Sequence, residues 1–202
     1  MITKKGFTLI ELLVVIGILA VLATATALIL NPAELLKQSR DSTRVADLAS
    51  LTNALDLYLS DQSTTWMNGP TNGTKLYSVA NQGGCTSGTA SKSATNPAVL
   101  CVTSIDRTTT GSGWVDVNLN AITTGSPVSR LPLDPNNGSA NCGASPANCF
   151  YEYIPNETTS KKYELDASME SVKFKAGGTG NIESTDGGDS SGAYEVGTSL
   201  VL

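Results

Sequence analysis

Glu11 is the residue of this chain whose setting demands a chemical explanation. It lies inside the run from Phe7 to Leu30, which is otherwise built of apolar, hydroxyl and glycine residues. A carboxylate in such a run is tolerated only when a cation or hydrogen-bond donors meet it. Nothing else in the run is cationic, so the expectation is a partner from outside the segment. A second group of acids, Glu183, Asp186 and Asp189, lies in a glycine-rich stretch near the end of the sequence. Clustered oxygens of this kind suit Ca²⁺, the one metal cofactor the sequence raises. The order of ligands is not that of an EF-hand, and a solvated acidic turn is the competing reading.

The remaining chemistry is carried by Cys85, Cys101, Cys142 and Cys149. An even number of cysteines suits two disulfides in an oxidising compartment, with three connectivities open. Pairing of neighbours, Cys85 with Cys101 and Cys142 with Cys149, is preferred because each bond closes a short loop rich in Gly, Ser and Asn. A zinc site is the rival, but the spacings lack a C-x2-C pair and the chain has no histidine. The sequence also offers no Gly-x-Ser-x-Gly elbow, no phosphate loop and no nucleophile beside a base, so an enzyme is not expected. A net charge of -5 leaves no general basic footprint for nucleic acid.

Glu11 must be positioned by a helix. At 1.5 Å per residue the run from Phe7 to Leu30 makes a rod of roughly 36 Å, longer than the ~30 Å hydrocarbon core of a bilayer. Lys4 and Lys5 precede it, which keeps the N-terminus in the cytoplasm and sends the rest across. A secretory signal peptide cut at Ala23-Thr24-Ala25 or Ala25-Thr26-Ala27 is one rival. Its apolar region would be about 7–15 residues and would not hold a glutamate. A plain single-pass anchor explains the length but leaves Glu11 unexplained.

Lys5-Gly6-Phe7-Thr8-Leu9-Ile10-Glu11-Leu12 resembles the signature of type IV prepilins and the pseudopilins of type II secretion. That resemblance implies cleavage between Gly6 and Phe7 by a membrane prepilin peptidase, followed by N-methylation of Phe7. It also implies a partner for Glu11, the N-terminal amine of a neighbouring subunit in a homo-oligomeric helical filament. The chain is then expected to sit in the cytoplasmic membrane with its head outside, and to meet pilus or secretion assembly machinery on its way into the filament. Residues 40–58, and the order of segments after residue 130, are similar to pseudopilins in a looser way. In that family a calcium-binding loop lies in the C-terminal region, which the stretch 183–189 matches in character. The alternatives are a low-abundance, minor pilin-like binding module and a membrane-anchored or secreted protein that never assembles.

The fold expected is α+β and pilin-like: a long N-terminal α-helix packed on a small antiparallel sheet. Residues 1–6 are read as leader, 7–30 as transmembrane and filament-core helix, 31–61 as an amphipathic half, and 62–202 as an exported disulfide-containing head. Asn31-Pro32 either kinks one helix or starts a second. Leu48, Leu51, Leu55, Tyr58 and Leu59 form the apolar stripe of the amphipathic half. Lys37 with Asp41, and Arg44 with Asp47, are read as pairs on its polar face. Strands are expected at 99–103, at 114–119 where Val115, Val117 and Leu119 alternate, and in a hairpin formed by 150–154 and 162–167. Residues 169–174 are the candidate third strand beside that hairpin.

Overall fold

The structure is a computed structural model describing residues 6–62, 75–77, 101–142, 149–156 and 161–200. The chain divides into two units, residues 1–36 and 37–202.

In the first unit, α1 (Leu9–Leu30) is apolar all round, and Leu9, Ile10, Leu13 and Leu22 are among its many exposed large side chains. A helix with no polar face is built for lipid or for other helices rather than for water. Its hydroxyls fit that environment: Thr24 donates to the Ala20 carbonyl at 2.8 Å and Thr26 to that of Ala23 at 2.9 Å. No side-chain donor there needs water. The helix ends at Asn31, whose φ of 39° puts it in the left-handed region that asparagine tolerates. α2 (Pro32–Asp61) starts at the next residue, and the N–H groups of Glu34 and Leu35 bond to the Asn31 carbonyl. Proline is suited to a first helical position because its missing N–H would be an orphan there anyway. Pro32 therefore starts a helix instead of kinking one.

In the second unit, the part of α2 from Lys37 onward buries Leu48, Leu51, Ala54, Leu55 and Tyr58, with Leu59 packed beside them. The predicted stripe is thus the core-facing one. Its partner is a five-stranded sheet of order β2-β1-β3-β4-β5, with β1 Lys75–Tyr77, β2 Cys101–Thr103, β3 Tyr151–Asn156, β4 Lys162–Ala167 and β5 Tyr194–Gly197. β1, β3, β4 and β5 pair antiparallel, and β2 adds to the edge in parallel with β1. The expected hairpin is present, with Tyr153 opposite Leu165. Strand alternation sends Tyr151, Tyr153, Tyr163, Leu165 and Ala167 into the core cluster shared with α2.

Two expected strands are absent. Residues 114–119 pass through the core without a ladder: Val115, Val117 and Leu119 are buried, but only an isolated bridge joins Thr110 to Asn118. The segment is held instead by the Trp114 N–H on the Asp106 carbonyl and by the Trp114 indole on the Pro132 carbonyl, each at 2.9 Å. Gly113 allows this approach, since a Cβ there would stand 2.2 Å from the Thr108 oxygen. Residues 171–175 form turns because the N–H groups of Glu170 and Ser171 go to the Asp41 carboxylate, each at 2.8 Å. The strand beside β4 is β5, much further along the chain.

Candidate functional site

The N-terminal site is set by where α1 begins. Gly6, Phe7 and Thr8 precede the helix, and Thr8 takes the N-cap position with an extended backbone, φ -82° and ψ 153°. The Gly6–Phe7 peptide is therefore outside the helical hydrogen-bond ladder. Nothing lies within 4 Å of a Cβ added at Gly6. Packing within the described residues does not demand glycine at this position.

Thr8 and Glu11 form a reciprocal capping box. The Glu11 Oε2 accepts the Thr8 N–H at 2.8 Å and the Thr8 hydroxyl at 2.7 Å, while Thr8 Oγ1 accepts the Glu11 N–H at 3.3 Å. These are hydrogen bonds, whereas the partner expected from outside the segment is a cation. The donors to Glu11 are local, and among the described residues no cation pairs with it. The Thr8 N–H belongs to the Phe7–Thr8 peptide, so cleavage at Gly6–Phe7 would leave the box intact. Sequence reading missed Thr8, although a threonine three residues before a glutamate at a helix start is the capping-box pattern.

The charged pairs expected on the polar face of α2 are rearranged. Asp41 and Arg44 are fully buried, and Arg44 bonds to Asp41 at 2.6 Å rather than to Asp47. Arg44 also donates to both oxygens of Asp134, at 2.7 and 2.8 Å, and to Glu170 at 2.6 Å. Arg40 adds two bonds to Glu170, at 2.9 and 2.7 Å. Burial opposes ionisation of Glu170, but the bonds from Arg40 and Arg44 outweigh it and hold the carboxyl down to about 2. Asp47 instead accepts the Tyr151 hydroxyl at 2.7 Å, and Asp56 accepts that of Tyr163 at 2.7 Å. Burial, then the adjacent carboxylate, pushes each phenol well up. These contacts rivet α2 to the sheet and to the segments around Asp134 and Glu170.

A disulfide joins Cys142 to Cys149, and Cys149 Sγ lies 3.9 Å from a Glu170 oxygen. The other expected pair, Cys85 with Cys101, lies outside the described residues.

The structure does not gather Glu183, Asp186 and Asp189 into one ligand set. Glu183 is buried and accepts the N–H groups of Met169 at 2.7 Å and Ala176 at 3.1 Å, tying two turns together. Asp186 accepts the N–H groups of Gly188 at 3.1 Å and Glu195 at 2.7 Å. The carboxylates that converge are Glu164, Asp166 and Glu195, whose oxygens lie within 4.8 Å of one another on β4 and β5. All three are buried. Desolvation first, and the Glu164 carboxyl second, push the Glu195 carboxyl far up.

Comparison with curated proteins and with solved structures finds no match. Residues 1–27 match the family model described as the prokaryotic N-terminal methylation motif. The apolar span Leu9–Thr26 has a mean hydropathy of 2.5 and the length to cross a membrane. Together with the motif it points to a membrane-anchored, single-pass protein. At its N-terminus, then, this chain carries the prepilin-type cleavage and methylation motif of type IV pilins and pseudopilins, on an α+β structure consistent with a pilin-like fold.

Proposed function

We propose that this chain is a structural subunit of a type IV pilus-like or type II secretion pseudopilus filament. The observation that carries this reading is a capped glutamate near the start of a helix that is apolar on every face and preceded by a matched cleavage motif. Prepilin peptidase removes residues 1–6 and Phe7 is methylated. The mature helix first spans the cytoplasmic membrane, with the N-terminus inside and the head outside. It then leaves the bilayer to pack against helices of other copies.

One apolar surface serves both states, so transfer from lipid to filament loses little burial. Glu11 sets the axial register. Thr8 satisfies one of its oxygens within the chain, and the amine of a neighbouring Phe7 supplies the charge, because a buried carboxylate without a cation stays uncompensated. The head takes no catalytic part. N-terminal sequencing and intact mass of the purified protein test the reading, with N-methylated Phe7 as the expected first residue. A mature start near Thr26 or Leu28 would mark signal-peptidase processing and remove the filament helix altogether.

A further inference from the structure

We propose that Asn137–Gly138 is a deamidation site kept shut by the Cys142–Cys149 disulfide, so that a head whose disulfide is open acquires a permanent aspartate or isoaspartate at position 137. An asparagine followed by glycine is open to this chemistry because glycine has no Cβ to hinder its own nitrogen from reaching the asparagine side chain. The Gly138 nitrogen gives its proton to hydroxide and bonds to Asn137 Cγ. The Cγ–Nδ2 bond breaks, and the nitrogen leaves as ammonia with a proton from water, which regenerates the hydroxide. Water then opens the five-membered imide at one of its two carbonyls. No oxidant, reductant or enzyme takes part in these steps.

The fold both requires this dipeptide and guards it. Gly138 has a φ of 81°, in the left-handed region, so the turn calls for glycine there. The turn is stitched by the Asn137 N–H on the Asp134 carbonyl at 3.1 Å and by the Ser139 N–H on the Asn136 carbonyl at 3.0 Å. Cys149 clips it from outside. Its carbonyl accepts the Gly138 N–H and its own N–H donates to the Ser139 carbonyl, each at 2.8 Å. The nitrogen that would attack is thus the one whose proton is committed to Cys149. Cys149 is fully buried and tied to Cys142, so release of the clip needs local opening of the head.

A hydrogen-bonded amide reacts at a rate set by how often it opens. Opening the disulfide removes the covalent tie across the clip and so raises that rate. The change is one-way. An aspartate at 137 brings a charge to a turn that already holds Asp134, at a side-chain oxygen that is buried. An isoaspartate adds a backbone atom, which moves Gly138 and Ser139 out of register with Cys149. Either product opposes reclosure, so the modification marks heads that were reduced or never oxidised. This site belongs to the head and does not depend on filament assembly.

The experiment incubates the full-length chain in detergent micelles in mildly alkaline buffer. Tandem mass spectrometry of tryptic peptide 131–161 follows loss of the Asn137 amide. Oxidised wild type should lose it far more slowly than the same chain in denaturant. Cys142→Ser/Cys149→Ser should lose it about 30- to 100-fold faster than oxidised wild type, the factor by which loss of a bond closing so short a loop favours opening. Leu165→Ala truncates a fully buried core side chain on β4 and leaves the disulfide intact. It costs the head at least as much stability, yet it should stay near wild type.

Oxidised wild type that deamidates at Asn137 as fast as the denatured chain overturns the proposal. So does a cysteine variant, folded by near-UV circular dichroism, that is as slow as wild type. Leu165→Ala matching the cysteine variant would also overturn it, by making global unfolding the route. If the cysteine variant is unfolded, amide exchange at Gly138 decides: it should be slow in the oxidised protein, and exchange as fast as in denaturant sinks the proposal. Glu11→Leu should deamidate as wild type does, which separates failure of this site from failure of the filament reading.

Discussion

Glu11 and Glu170 are both carboxylates set against apolar structure, and the chain equips them differently. Glu170 is met by two guanidinium groups from α2 and sits 2 % exposed in a closed network. Among the described residues Glu11 is met only by the N–H and hydroxyl of Thr8, on a helix whose apolar side chains are exposed. A charge neutralised within its own chain stabilises the fold of that chain. A charge with donors but no cation, on a surface unsuited to water, stabilises whatever brings the cation. The head is therefore complete by itself in its charge pairing around Arg44, and in the proposed reading lipid or a second copy completes the N-terminal segment.

The most severe way to break this contrast is Glu11→Leu. It is expected to leave membrane insertion, leader processing and the head's near-UV spectrum unchanged while nearly eliminating filaments in sheared surface fractions. Normal filament yield and register in electron micrographs would remove the role assigned to Glu11. Arg44→Ala leaves Asp134 buried without its guanidinium and Glu170 with Arg40 alone. It should destabilise the head by about 3–5 kcal/mol in denaturant unfolding. Replacing Cys142 and Cys149 by serine spares the charges but frees the turn beside Glu170. By loop-closure entropy it should cost about 2–3 kcal/mol.

Titration sharpens the contrast within the head. The folded carboxyl of Glu170 lies at about 2 against an ordinary 4.5, so the fold favours its ionised form. The stability this supplies is fully present above pH 4.5 and is lost as pH falls toward 2. Glu195 is shifted the other way, by burial first and then by Glu164 and Asp186. In the folded protein it keeps a proton that the unfolded chain releases, so stability declines as pH rises above 4.5. Unfolding curves of wild type, Arg44→Ala and Glu195→Gln across pH 2–9 check both signs. The smallest effect is expected from Thr8→Val, which removes the cap hydroxyl and should weaken the start of α1 by about 1 kcal/mol. Amide exchange at Leu9–Leu12 in micelles would register it as faster fraying.

Much of this was legible before any coordinates. The motif around Gly6, Phe7 and Glu11, the apolar rod and the core stripe through Leu48 and Tyr58 are local or periodic, and the structure bears out the rod and the stripe. The buried Arg44 network also left a trace. Asp41 and Arg44 continue the spacing of Leu48, Leu51, Leu55 and Tyr58 along one face of α2, so they lie on the core side. Their charge suggests the solvent face; their positions along the helix put them inside.

What the sequence alone determined is therefore whatever repeats with the helix or strand period, or sits within a turn or two of its partner. α1, its cap, α2 and the β3–β4 hairpin are of this kind, because their hydrogen bonds are satisfied by near neighbours. Only the tertiary structure decided which distant groups meet. Asp134 and Glu170 come to Arg44 from 90 and 126 residues away. Segment 114–119 enters the core without a ladder, β5 takes the edge expected for 169–174, and Glu164, Asp166 and Glu195 converge where Glu183, Asp186 and Asp189 do not. Burial and charge compensation act through space, and no period along the chain encodes which partner a buried group will find.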